Sequence, residues 1–191
     1  MRSRSEVDPG ASSTHDIWIF GYGSLIWRPD FDYLEREVAT VQGWSRRFWQ
    51  GSHDHRGTPD QPGRVVTLAA DPSQACTGIA YRLPAASANS IFQALDHREK
   101  NGYQRLELSA ITPDRRELAT ITYIAAPGNF AYLGPAPLAQ IGAQIARSHG
   151  PSGPNTQYLF ELADALRSLQ VEDDHVFALE QQVRQLLDPS L

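Results

Sequence analysis

The chain offers few stretches whose residue types and spacing could do chemistry. The first is Gly21-Tyr22-Gly23-Ser24. Two glycines this close permit positive φ angles and let a ligand approach the backbone. Successive N–H groups in such a turn converge on one anionic or carbonyl oxygen. A dinucleotide fingerprint would need a third glycine at position 26, where Ile26 stands, and no Gly-Lys-Ser/Thr follows for a phosphate loop. Ser24 is followed by Leu25 and Ile26, so it does not sit in a nucleophile elbow. The second stretch supplies cations. Arg46, Arg47, Arg56 and Arg64 fall close together, opposed by Asp54 and Asp60. The third is Asp96-His97-Arg98-Glu99-Lys100, which by itself reads as a solvated helix end. His53-Asp54-His55 lacks a helical i,i+4 pair and a third ligand, so no metal site is expected.

The surrounding elements must hold these groups in place. Ile17-Trp18-Ile19-Phe20 is wholly apolar, as expected of a strand buried on both faces, and Leu25-Ile26-Trp27 resumes apolar packing after the turn. Asp30–Tyr33 reads as a loop, Glu37–Trp44 as a strand that continues extended through Arg46–Trp49, and Gly51–Gly63 as a loop rich in Gly, Pro and Asp. Arg64–Ala70 and Thr77–Leu83 read as strands separated by a turn at Asp71-Pro72-Ser73. Pro84 introduces a helix through about Arg98, with Ile91, Phe92 and Leu95 on its buried face and Gly102 past its end. Tyr103–Ile111 and Leu118–Ala125 alternate as paired strands, and Pro127–Pro137 is a loop. Helical faces follow at Leu138, Ile141 and Ile145, then at Leu159, Leu162, Leu166 and Leu169, and last at Val176, Leu179, Val183 and Leu186. Asn155 is the expected cap of the second of these, and Asp173 or Asp174 of the third. Strands, a helix, strands and then helices argue an α+β class.

Five stretches in register carry a resemblance to a known family. They are IWIFGYGSLIW (17–27), GWSRRFWQGSHDHRGTPDQPGRVVTL (43–68), LDHREKNGY (95–103), YLGPAPL (132–138) and GPSGPNTQYLFELADALRSL (150–169). Together they resemble the ChaC-type γ-glutamylcyclotransferases, the glutathione-specific branch of that superfamily, from about Ile17 to Leu187. The resemblance implies a small mixed β-barrel flanked by helices and cleavage of reduced glutathione to 5-oxoproline and cysteinylglycine. It makes Glu99 the catalytic carboxylate and Ile19, Phe20, Gly21, Tyr22, Gly23, Ser24 and Leu25 the substrate-binding strand and turn. Tyr132 matches a family position near the substrate. The glycine carboxylate of the tripeptide needs a cation, for which Arg47 is the candidate. His97 stands where an aromatic is common in the family and Asn101 where a second glycine is common. The alternatives are a cyclotransferase for γ-glutamyl amino acids or amines, and a non-catalytic binding module on the same fold.

The chemistry implied is intramolecular. The α-amine of the γ-glutamyl group attacks its own γ-carbonyl and closes a lactam, so no cofactor is expected. Composition sets further bounds. A chain of 191 residues with 41% hydrophobic content fits one domain, residues 17–191, preceded by a polar segment, 1–16, expected to be a mobile tail. A net charge of −5 argues against a sequence-independent grip on nucleic acid. The lone Cys76 excludes an intramolecular disulfide. No run is apolar enough to span a membrane and no signal peptide is evident, so a cytoplasmic protein without membrane partners is expected. A monomer or weak dimer is the expected state.

Overall fold

The computed structural model describes residues 17–99, 102–188 and 190. The expected tail at 1–16, and the turn residue Asn101, lie outside the described residues. Five strands close into a barrel in the order β1-β3-β2-β4-β5. They are β1 (Ile17–Gly21), β2 (Glu35–Ser52), β3 (Gly63–Leu83), β4 (Gln104–Ile111) and β5 (Glu117–Ile124). All neighbours are antiparallel except β5 and β1, whose parallel contact at Trp18↔Thr120 and Ile19↔Ile121 closes the ring. The helices are α1 (Ala88–Arg98), α2 (Leu138–Arg147), α3 (Asn155–Ser168) and α4 (Asp174–Leu187). A small hairpin, β6 (His149–Gly150) with β7 (Gly153–Pro154), joins α2 to α3. This is the α+β barrel with flanking helices that the sequence leads one to expect.

The unbroken apolar run of β1 has a simple cause. Side chains alternate across a strand. Trp18 and Phe20 enter the larger core with Tyr81, Phe48, Leu159 and Leu162. Ile19 points the other way, into a second core built on Ile91, Phe92 and Leu95 of α1. The barrel interior therefore takes one face of β1, and α1 takes the other.

The long central strands extend the sequence reading at β2 and depart from it at β3. β2 is continuous from Glu35 to Ser52, with irregular register at Gln42/Trp44 and again at Arg47/Gln50. Gly43, at φ +79°, supplies the left-handed residue that the first irregularity needs. β3 likewise runs unbroken through Asp71-Pro72-Ser73. Gln42 pairs with Ala75 and Trp44 with Ala70, so residues 71–74 bulge out of the ladder without reversing the chain. Asp71 does make the local turn bonds, accepting from the Ser73 N–H and hydroxyl, but they close a bulge.

Helix ends divide in the same way. Asp173 caps α4, its side chain accepting from Val176 N–H at 3.1 Å. Asn155 is not a cap. It is the first residue of α3, fully buried, and its amide bridges both backbone groups of Arg64. Its side chain is thus spent on joining α3 to β3. Leu186, expected on the inner face of α4, is half exposed in the last turn.

Candidate active site

The site forms where β1 ends and α1 ends. After Gly21 the chain makes a single 3-10 turn at Ser24–Ile26, closed by Ile26 N–H to Gly23 O at 2.9 Å. The opening donors of a helical turn have no partner within it. Here the N–H groups of Gly23, Ser24 and Leu25 have no protein acceptor among the described residues. The two glycines are required for space. Neither has a positive φ. A Cβ on Gly21 would stand 2.6 Å from Leu25 Cβ. One on Gly23 would stand 2.9 Å from Val66 Cγ2 and 3.0 Å from the Tyr158 hydroxyl.

Arg46 holds this turn from behind. Its buried guanidinium donates to Tyr22 O at 2.6 Å, to Thr77 O at 2.5 Å and to Asp173 Oδ2 at 2.6 Å. One side chain thereby ties the turn to β3 and to the start of α4. Arg98 holds it from the front, donating to Ser24 Oγ at 2.7 Å. The Ser24 hydroxyl meets an arginine and not a histidine base, so the turn carries no activated serine nucleophile.

Glu99 follows the last residue of α1, its N–H bonded to Leu95 O at 2.8 Å. Because α1 is anchored on the barrel by Ile91, Phe92 and Leu95, the carboxylate is carried to the mouth of the turn. Two cavities meet there. An inner pocket of about 50 Å³ is lined by the Phe20–Leu25 segment, Val66, Thr122 and Tyr123. An outer cleft of about 270 Å³ is lined by Trp27, Arg28, Ser52, His55, Arg56, Arg98 and Ser152. Ser24, Glu99, Tyr103 and Tyr158 belong to both. Burial pushes the Glu99 carboxyl above the ordinary glutamate range. The Arg98 guanidinium, 3.6 Å away, opposes that to a lesser degree, and the negative charge of Asp54 adds to it.

The tyrosines around Glu99 are held as neutral hydroxyls. Burial raises Tyr22, Tyr103 and Tyr158 alike. Tyr22 donates to Tyr123 O at 2.6 Å and Tyr103 to Val66 O at 3.0 Å. Trp27 and Phe48 each meet the Tyr158 ring edge-on.

The structure brings most of the expected residues together. Phe20, Gly21, Tyr22, Gly23, Ser24, Leu25 and Glu99 line the inner pocket. Ile19 lies behind the strand in the α1 core. Arg47 does not line either cavity; it donates to Arg46 O at 3.2 Å, and its charge bears on His175 of α4. Tyr132 lies outside both linings, bridged to Gln50 beside the end of β2. Of the arginine cluster, Arg56 alone lines the outer cleft. Arg64 is committed to Phe48 O, Gly134 O and Gln144. The residues of His53-Asp54-His55 diverge, with His53 stacked on Phe130 and His55 paired to Ser152 Oγ at 3.2 Å. Tyr158 and Arg98 were not legible as site residues. The apolar neighbours of Tyr158 in α3 disguise it as core, and Arg98 is one charge in a charged helix end.

Comparison with known proteins bears on what this site belongs to. The profile of the family described as "ChaC-like protein" matches residues 17–186. A mouse protein named glutathione-specific gamma-glutamylcyclotransferase 1 is 42% identical over 192 residues, covering 97% of this chain and 86% of its own. Gamma-glutamylcyclotransferase 2-3 of Arabidopsis thaliana is 43% identical, covering 91% of this chain and 92% of its own. A crystal structure of a yeast gamma-glutamyl cyclotransferase specific to glutathione superposes with a TM-score of 0.86. It is 32% identical, covering 90% of this chain and 97% of that one.

Proposed function

The chain belongs to the ChaC-like family, and from that premise we propose that it is a γ-glutamylcyclotransferase that cleaves reduced glutathione into 5-oxoproline and cysteinylglycine. One observation carries the assignment beyond family membership. A half-buried carboxylate, Glu99, stands at the junction of two cavities, over a turn in which the Gly23, Ser24 and Leu25 N–H groups have no protein acceptor among the described residues.

The γ-glutamyl head enters the inner pocket and cysteinylglycine lies in the outer cleft, so the scissile amide falls beside Glu99. The substrate's α-ammonium gives a proton to Glu99, and the freed amine attacks the γ-carbonyl carbon. The new C–N bond closes a five-membered ring, and negative charge collects on the former carbonyl oxygen. The N–H groups of Gly23, Ser24 and Leu25 receive either that oxygen or the substrate's α-carboxylate. In the first case each aligned donor contributes about 3 kcal/mol to the transition state. Collapse breaks the γ-amide bond: Glu99 returns its proton to the departing nitrogen, and the second proton of the ring nitrogen follows it, so that the lactam is neutral and cysteinylglycine leaves as its ammonium. Atoms balance without water: one tripeptide gives one lactam and one dipeptide. A raised carboxyl pKa suits a group that must first take and then give a proton. The larger share of the acceleration comes from folding the γ-glutamyl chain into attack geometry, since nucleophile and electrophile belong to one molecule. The neutral tyrosines and the Ser24–Arg98 pair keep the walls fixed while charge moves.

The test is the fate of the amine and of oxygen. Glutathione in ¹⁸O-labelled water gives 5-oxoproline without label, and N-acetyl-glutathione and desamino-glutathione give no cysteinylglycine. Labelled free glutamate as the primary product would overturn the mechanism.

A further inference from the structure

The outer cleft contains a cation whose charge is poorly matched by the protein. Arg56 is buried, its side chain 9% exposed. Its NH1 donates to two neutral acceptors, Pro154 O at 3.2 Å and Gln157 Oε1 at 3.0 Å. The carboxylate within ion-pair range among the described residues is Glu161, 3.7 Å from NH2. That carboxylate is already engaged, accepting from Trp27 Nε1 at 3.1 Å and from Gln157 Nε2 at 3.0 Å. Buried charges in proteins are ordinarily paired in close contact.

The surroundings hold Arg56 at the cleft wall. Its N–H donates to Ser52 Oγ at 2.9 Å. The β6–β7 hairpin presses on the same loop: Ser152 N–H bonds His55 O, and a Cβ on Gly150 would lie 2.2 Å from that carbonyl. The Tyr158 ring lies under the guanidinium, 5.9 Å away. The other arginines of the cleft are otherwise engaged. Arg28 is exposed and paired with Asp30 at 2.9 Å, and Arg98 is tied to Ser24 and Asp30.

We propose that Arg56 is the recognition point for the carboxylate of the substrate's C-terminal glycine. This deepens the proposed function and rests on it. With the γ-amide at Glu99, an extended cysteinylglycine reaches about 7 Å further along the cleft. The pre-positioned planar fork of an arginine suits a terminal carboxylate better than a flexible ammonium would. Such a contact also separates glutathione from γ-glutamyl amines, which have no carboxylate at this end. Arg56 here replaces Arg47 as the partner of the glycine carboxylate.

The test crosses two substrates with two enzymes. Glutathione amide, with a C-terminal carboxamide, keeps the γ-glutamyl head, thiol and scissile bond but loses the charge. In the native enzyme, kcat/KM for the amide falls at least tenfold below that for glutathione, mainly through KM. R56Q lowers kcat/KM for glutathione by at least tenfold more than it lowers that for the amide, and R56K recovers part of the loss. Amide turnover by R56Q also reports that the variant folds. Equal losses on both substrates would overturn the inference, as would a native enzyme indifferent to the carboxamide; either leaves cyclotransfer itself standing. A native enzyme that makes no 5-oxoproline from glutathione removes the proposed function, and the inference with it.

Discussion

Replacing Glu99 by Gln separates the catalytic reading from a structural one, because the two move in opposite directions. Glutamine keeps the volume and planarity of the side chain but neither takes nor gives the proton. In the proposed cyclisation this carboxylate takes the proton of the amine and gives one to the leaving nitrogen. General acid–base assistance is worth ~10²–10⁴ in rate. The expected loss in kcat is therefore at least about a hundredfold, near 2.7 kcal/mol in activation free energy, with KM little changed. The native rising limb of kcat/KM against pH lies above the ordinary glutamate range, because burial raises the free-enzyme carboxyl. It is absent from the residual activity of E99Q. Stability gives the opposing signal. Since the folded-state pKa is raised, the native state holds its proton over a pH window where the unfolded chain has lost it. Unfolding free energy then falls as pH rises from the ordinary glutamate value through the raised one. Each tenfold difference in proton affinity corresponds to about 1.4 kcal/mol. Glutamine carries no such cost, so E99Q is expected to unfold at higher denaturant than wild type at pH 7 and to lose that advantage in acid. The assays are initial rates of 5-oxoproline formation and urea unfolding across pH. A folded E99Q with near-native turnover would refute the argument.

Two further substitutions test the supports of the turn. Gly23→Val places side-chain carbon against Val66 and the Tyr158 hydroxyl inside the inner pocket; overpacking of about 1–3 kcal/mol leaves a folded protein in which calorimetry detects no glutathione binding, and unchanged affinity would make the turn purely structural. Asp173→Ala removes both the cap of α4 and the carboxylate partner of buried Arg46; an unpaired buried charge costs about 3–5 kcal/mol, read as a lower urea midpoint with unchanged slope, and a loss under 1 kcal/mol would show that Arg46 does not depend on the pair.

The fold was legible where burial leaves a periodic trace. β1 reads as doubly buried because both its faces are apolar, and α1 shows its stripe because one face alone meets the barrel. What the sequence hid are features decided by pairing at a distance. Asp71-Pro72-Ser73 has genuine turn chemistry, and nothing local says whether such a turn reverses the chain or bulges from a ladder held by β2. Asn155 has a capping residue's identity and stands one place inside the helix start. Its buried amide serves the backbone of Arg64 instead, a partner 91 residues away. His175, beside the α4 start, shows no sign in sequence of accepting from Phe48 N–H at 3.1 Å, where burial brings its pKa down to about 4.

The arginines show why the site was only partly readable. Arg46 and Arg47 are adjacent in one strand and so point to opposite faces, but both of their environments are settled by elements more than a hundred residues later. Arg46 meets Asp173 across the barrel wall, and Arg47 comes under the influence of His175. Arg64 has three neutral oxygen partners, which spread its charge over backbone and amide dipoles and hold β3 against β2, the 134 region and α2. Arg56 differs in that its loop is pinned by the β6–β7 hairpin while its nearest carboxylate is drawn off by Trp27 and Gln157. Cation count therefore could not rank the four; placement at the outer cleft does. Arg46 and Arg64 line neither cavity and join elements as struts, whereas Arg56 borders the outer cleft with its nearest carboxylate 3.7 Å away, the placement that the proposed binding role needs. Glu99 borders the same cleft. Burial raises its pKa more than the Arg98 guanidinium lowers it, and that imbalance is what the proposed proton exchange needs and what the solvated helix end that its local sequence resembles would lack.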